Sequence, residues 1–215
     1  MRTRFLKLLP AAALAACFLA ACFSAPALAQ SPPAPGNKGE WVEPPKKLPH
    51  VTLEDRENDL DFLFGALKAA PDDETAKAIE QRIWALWIRS QSDTANLLMT
   101  RVHKAIDKKD LDLALKLLDA VVTIKPDYVE GWNRRATIYY MKKDYGRSVA
   151  DIRQVLRLEP RHFGALTGFG LILQDIGQDK QALEVYRRAL AVYPRMERIP
   201  DVVKKLTEEV EGRDI

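Results

Sequence analysis

Few residues in this chain have the types and spacing for chemistry, and those that do point to recognition more than to turnover. The three histidines, His50, His103 and His162, are scattered, and no two histidines or cysteines share the i, i+3 or i, i+4 spacing of a helical metal pair. No G-x-S-x-G, phosphate-loop or H-E-x-x-H pattern is present. Gly164, Gly168 and Gly170 make a glycine-rich run, but no strand pattern precedes them, so close helix packing is expected there and not a phosphate cradle. Asp72-Asp73 follows a proline, where acidic residues favour the start of a helix. Both cysteines, Cys17 and Cys22, fall within the first 29 residues. No catalytic set, metal site or cofactor is therefore expected, and the chain reads as a non-enzyme. Asn133, Arg134 and Tyr140 have side chains that could hold a peptide backbone or a carboxylate if the fold brings them to one surface.

The elements that must present these side chains repeat. Pro126, Pro160 and Pro194 stand 34 residues apart and close the stretches Thr-Ile-Lys-Pro, Arg-Leu-Glu-Pro and Ala-Val-Tyr-Pro. Between them apolar residues recur at spacings of three and four, as amphipathic helices require. A proline lacks an N–H and restrains the residue before it, so a helix ends at each. Lys108-Lys109-Asp110, Lys142-Lys143-Asp144 and Gly177-Gln178-Asp179 break each unit in its middle. Small residues (Ala114, Ala136, Ser148, Gly170 and Ala182) let paired helix axes approach to about 8–10 Å. Trp132, Tyr139, Ile152, Phe169 and Tyr186 are the large residues expected to fill the space between pairs. Arg135 is expected to pair with Asp151 on the partner helix, because a partly buried carboxylate left alone is costly.

Trp132, Ala136, Tyr139, Ser148 and Pro160, followed in the same frame by Gly170, Ala182, Tyr186, Ala189 and Pro194, resemble the tetratricopeptide repeat (TPR). The resemblance implies an all-α fold, a TPR α-solenoid of antiparallel helical hairpins with a C-terminal capping helix. The expected units are a helical pair at 51–93, read as a degenerate repeat, then repeats at 94–128, 129–162 and 163–196, then a cap at 197–215 whose helix starts at Pro200. The resemblance also implies that the first helix of each repeat lines a concave groove. The groove residues it indicates are Asn96, Met99 and His103, then Glu130, Asn133, Arg134, Thr137 and Tyr140, then Thr167, Leu171 and Gln174. Relatives that clamp a C-terminal carboxylate use a Lys/Asn/Arg set that this chain lacks in full. In the pair at 51–93, the run Ile83-Trp84-x-Leu86-Trp87-Ile88 is apolar on more than one face. The expectation is a helix sandwiched between its own partner and the first repeat, and the alternative is an exposed docking patch.

Residues 1–29 read as a secretory signal peptide. Arg2, Arg4 and Lys7 form its positive start, Leu8 to Phe23 its apolar stretch, and Ala27-Leu28-Ala29 its cleavage site before Gln30. Release into the periplasm at Gln30 is expected. The alternative is an outer-membrane lipoprotein, since Leu19-Ala20-Ala21-Cys22 fits a lipobox ending at Cys22. Residues 30–50 hold six prolines and little apolar content, the composition of an extended or disordered linker. The whole chain carries 33 Lys+Arg and 30 Asp+Glu, and its first 29 residues hold three basic and no acidic residues. The remainder is balanced, so no nucleic-acid footprint is left. The balance is uneven along the chain: residues 40–93 hold 12 acidic and 7 basic residues, whereas 94–215 hold 18 and 22. The chain also resembles small periplasmic repeat proteins of Gram-negative bacteria. That implies a non-catalytic scaffold of the cell envelope, holding a peptide or helix of a protein partner in its groove, and touching the membrane only if Cys22 is lipidated.

Overall fold

The structure, a computed structural model, describes residues 53–212. The expected signal peptide, the linker at 30–50, both cysteines and His50 lie outside them. Nine helices follow in order: α1 (Leu53–Lys68), α2 (Asp73–Ile88), α3 (Asp93–Asp107), α4 (Leu111–Ile124), α5 (Val129–Met141), α6 (Tyr145–Leu158), α7 (Phe163–Asp175), α8 (Asp179–Val192) and α9 (Ile199–Val210). No strand occurs among the described residues.

Short polar side chains start these helices by accepting backbone N–H groups that have no partner inside the helix. Asp110 and Asp144 accept from Leu113 at 3.0 Å and Arg147 at 3.1 Å, opening α4 and α6. Asp72 and Ser92 do the same for α2 and α3 through Thr75 and Ala95. Each hairpin turn passes through one left-handed residue, Lys109 (φ 59), Lys143 (φ 59) or Gly177 (φ 73). These three keep the 34-residue spacing of the prolines.

Three hairpins, α3–α4, α5–α6 and α7–α8, stack in chain order, and α9 packs on α8. A Cβ on Gly170 would lie 2.5 Å from the ring of the fully buried Tyr186, so only glycine lets α7 and α8 approach this closely. In the hairpin before, the buried Ser148 hydroxyl donates to the Ala136 carbonyl at 2.8 Å. Arg135 holds Asp151 with two parallel bonds, Nε to Oδ2 at 2.8 Å and Nη2 to Oδ1 at 2.7 Å. Its Nη1 reaches back to Asp119 of the preceding hairpin at 2.8 Å, and its guanidinium lies 4.8 Å from the centre of the Trp132 ring. One side chain thus ties two repeats together.

The 34-residue frame explains both ends of the stack. Ile138 and Ile172 are buried against the preceding hairpin, and Leu206 of α9 keeps the same place. The chain therefore begins a further repeat with α9. Where Ala136 and Gly170 admit a second helix, however, α9 carries the exposed Lys204, and no second helix packs over it among the described residues. Arg187 fastens it with two bonds to Glu211, at 2.7 and 2.9 Å. At the other end the exposed Lys104 of α3 occupies the place of Ile138 and Ile172. That removes the apolar contact a preceding hairpin would need.

Accordingly α1–α2 does not extend the stack, which corrects the expectation of a degenerate repeat sandwiching α2 against the first unit. The pair lies lengthwise along the edge formed by the proline turns. Near its start, Arg195 bonds the Ala70 and Pro71 carbonyls and Asp73. Further along, Tyr193 donates to Glu80 at 3.2 Å. Trp84 and Trp87 then pack on His162 and Phe163, and finally Tyr128 donates to the Ile88 carbonyl at 2.7 Å. On α1, Arg161 pairs with Asp61 at 2.5 Å and lies 4.3 Å from the centre of the Phe64 ring. The stack uses equivalent residues for this: Tyr128, His162 and Met196 precede or flank successive turns, and Arg161 and Arg195 directly follow prolines. The tryptophan helix is for the most part not an exposed patch either, since Ile83 is fully buried and Trp87 is 2 % exposed, while Ile88 at its end is exposed. Two acidic residues of the α1–α2 pair, Asp61 and Asp73, meet cations of the stack, Arg161 and Arg195.

Candidate peptide-binding groove

The first helices of the repeats, α3, α5 and α7, form the candidate groove. Asn133, Thr137 and Tyr140 on α5 and Thr167, Leu171 and Gln174 on α7 stand at i, i+4 and i+7, so each trio shares one helical face. The two trios are themselves 34 residues apart, and α5 touches α7 directly. Matching stripes therefore lie side by side.

Several expected groove residues serve the fold instead. Met99 is buried in the core between α3 and α4. Asn96 accepts the Ser90 hydroxyl at 2.7 Å and its N–H at 3.3 Å, fastening the turn between α2 and α3. Glu130 is 1 % exposed, because α2 covers the first turns of α5 and α7. A Cβ on Gly164, in the first turn of α7, would sit 3.1 Å from the Trp84 ring. Glu130 in turn occupies two of the residues expected to bind a ligand. Its Oε1 accepts from Arg134 Nε at 2.6 Å and its Oε2 from Asn133 Nδ2 at 2.9 Å. Burial is the largest influence on this carboxyl and acts to raise its pKa. The neighbouring His162, Arg134 and Asn133 together outweigh it and hold the group below the usual carboxylate range. Arg134 is half-exposed, but its charge is already answered by a buried partner, so it does not serve as a free carboxylate clamp.

His162 completes this closed end. Its Nδ1 accepts the Ala165 N–H at 3.0 Å and caps α7, which places the ring proton on Nε2, 3.8 Å from Glu130 Oε2. The imidazole lies flat on the Trp87 indole, with ring centres 4.0 Å apart and planes 12° from parallel.

The opposite end, toward the hairpin turns, is open. Thr137 is exposed and its hydroxyl bonds back to the Asn133 carbonyl at 3.0 Å. Thr167 likewise bonds back to Phe163. Leu171 and Met141 are exposed apolar groups, Tyr140 is half-buried, and His103 is exposed on α3. Gln174 accepts the Tyr186 hydroxyl at 2.7 Å, and burial foremost pushes that phenol up to about 12. Tyr145 donates to Asp175 Oδ2 at 2.9 Å, and its ring centre lies 6.0 Å from that of Tyr140. Reading the residues alone missed Met141, Tyr145 and Asp175 here, and Trp84, Trp87 and His162 at the closed end. Asp175 did carry a signal: an acidic residue ending a helix runs against the helix dipole.

This arrangement is a stack of antiparallel α-hairpins, the architecture of a helical repeat module. The family model described as tetratricopeptide repeat matches residues 129–162 and 164–195. A TPR repeat-containing protein of Rhizobium etli is 42% identical over 153 residues, which span 71% of this chain and 75% of that protein. Among solved structures, the first TPR of Spaghetti bound to an HSP90 peptide superposes with a TM-score of 0.53 at 18% identity, over 56% of this chain and 95% of that one. The Sgt2 TPR domain from Aspergillus fumigatus gives 0.51 at 17% identity, over 56% and 81%. The chain belongs to the tetratricopeptide-repeat family, whose members generally mediate protein–protein interaction.

Proposed function

We propose that this protein is a scaffold of the bacterial cell envelope that holds a peptide or helix of a protein partner across the open end of the α5–α7 groove. The observation that carries the reading is the pair of matching stripes on α5 and α7, with Leu171 and Met141 exposed beside them. Side-chain hydroxyls that bond back to their own helix leave a surface of mixed apolar and weakly polar character, suited to an amphipathic segment. A solved relative in fold carries a bound peptide, which supports the same use here. The positive start, apolar stretch and A-x-A site of residues 1–29 support export, with release at Gln30. The lipobox ending at Cys22 supports a second reading, in which the same scaffold is anchored to the outer membrane.

A photoreactive residue placed at Thr137 or Leu171 in intact cells tests the groove. It is expected to capture one partner that a probe at Arg153, exposed on α6, does not. Equal capture at all three positions, or none at Thr137 and Leu171, sinks the reading. The mass of the mature protein decides anchoring: a chain starting at Gln30 means release, and an acylated chain starting at Cys22 means a lipoprotein.

A further inference from the structure

We propose that Tyr140, Tyr145 and Asp175 form a subsite at the open end of the groove for a basic side chain, Lys or Arg, of the bound partner. The proposal rests on the groove reading above and gives its partner a chemistry.

Two tyrosine rings stand with centres 6.0 Å apart and planes 36° from parallel, beside a carboxylate. A cation within about 6 Å of such a ring centre is attracted by its π face, and an adjacent anion adds to the attraction. Asp175 is exposed; its Oδ2 accepts the Tyr145 hydroxyl at 2.9 Å and the Tyr140 hydroxyl interacts with the same carboxylate, so both rings converge on one exposed anion. No ion pair to Asp175 forms among the described residues. Of the cations around the α5–α6 turn, Lys142 pairs with Asp112 at 2.7 Å and Arg147 with Asp144, and the exposed Lys143 makes no ion pair with Asp175.

Asp175 is also in the wrong place for a purely structural residue. It is the last residue of α7, no basic residue occupies that last turn, and the helix dipole puts negative potential there. If its task were only to tie α6 to α7 through Tyr145, an asparagine would accept the same hydrogen bond without the charge. Its field reaches three phenols. Burial and then Asp175 raise Tyr140, the hydrogen bond to Asp175 first raises Tyr145, and Tyr186 feels the same charge after burial and Tyr140. A bound ammonium or guanidinium would relieve this crowding of negative potential. A local arrangement that opposes the fold's own electrostatics is a mark of a site used for something else.

The test uses the full chain and two small probes, Nα-acetyl-lysine methylamide and its norleucine counterpart, with the Tyr140 and Tyr145 ring signals followed by NMR. The lysine probe is expected to shift both rings saturably at millimolar concentration, and the norleucine probe is not. Asp175→Asn keeps the hydrogen-bond acceptor and should weaken lysine binding about tenfold. Tyr145→Phe keeps the ring and should weaken it less. Absence of any lysine-specific shift, or equal binding by Asp175→Asn, overturns the subsite whatever the groove holds. The partner captured through Thr137 and Leu171 supplies the second arm. Replacing a lysine or arginine of its bound segment by norleucine should cost about tenfold in affinity to this chain and nothing to Asp175→Asn. If the segment binds the groove with no basic residue near Asp175, the subsite fails and the groove stands. If no partner is captured and only the free probe binds, the site takes a small amine and the assignment to a partner's side chain is wrong.

Discussion

The repeat stack and the α1–α2 pair are built from the same material, amphipathic helices joined by short turns, yet they hold together differently. In the stack each hairpin meets its sequence neighbours, and Arg135 bridging Asp151 and Asp119 spans only 16 residues in either direction. The α1–α2 pair meets residues far along the chain: Arg161 is 100 residues from Asp61, and Arg195 is 122 from Asp73. A stack with nearest-neighbour contacts alone can fray one repeat at a time. A brace touching Tyr128, His162 and Arg195 couples every repeat junction to one element. The difference predicts that the N-terminal pair adds cooperativity to the stack, and it leaves the first turns of α5 and α7, at Glu130 and Gly164, covered.

Breaking the brace should have the largest effect. Trp87→Ala removes a buried indole stacked on His162 and is expected to cost about 4 kcal/mol in urea unfolding. It should also separate the helicity and tryptophan-fluorescence transitions, which are expected to coincide in the wild type; a loss under 1 kcal/mol would show that the pair merely rests on the edge. Within the stack, Arg135→Ala leaves the buried Asp151 unpaired and should cost about 3 kcal/mol, with both transitions still coincident.

Glu130→Gln probes the contact between the two regions. Its carboxyl is held below the ordinary range, so the unfolded chain binds a proton more readily. The stability it contributes is present above the unfolded value of about 4.3 and is lost as pH falls through the folded one. The variant should be about 2 kcal/mol less stable at pH 7, because Arg134 loses its charged partner, and its melting temperature should fall less between pH 5 and pH 3. A parallel acid limb in both proteins would remove Glu130 from the contact.

Two glycines give the finest comparison. Alanine at Gly170 meets the buried Tyr186 ring at 2.5 Å and should cost about 1 kcal/mol even after the gain in helix propensity. Alanine at Gly164 meets the half-buried Trp84 at 3.1 Å, a clash that a shift of a few tenths of an ångström relieves, so the two effects should nearly cancel. Thermal melts read both, and a reversal of the order would mean that the brace is packed more tightly than the stack.

The helices of the stack were legible because their signals are local: proline stops, turn residues and small-residue places recur every 34 residues. Of the residues expected in the groove, Thr137, Tyr140, Leu171 and Gln174 do lie on matching faces of α5 and α7, since a face of a repeated helix repeats with the frame. Glu130 and Met99 misled because a polar or flexible residue in a lining place says nothing about what covers it, and Asn133 and Arg134 misled because their partner, Glu130, turned inward. The placement of α1–α2 escaped for a different reason. Its own pattern fits any apolar surface, and the clue against stacking was a single lysine, Lys104, standing where Ile138 and Ile172 are buried.

From the sequence alone came the period, the hairpins, the lone closing helix and the family, all properties of contacts between near neighbours. The tertiary structure alone decided that the N-terminal pair lies along the proline edge, that α2 covers the first turns of α5 and α7, and that Asp175 meets Tyr145 near their far ends. Those outcomes depend on side chains from 30 to 125 residues apart finding one another, and no periodicity within either segment encodes such a meeting.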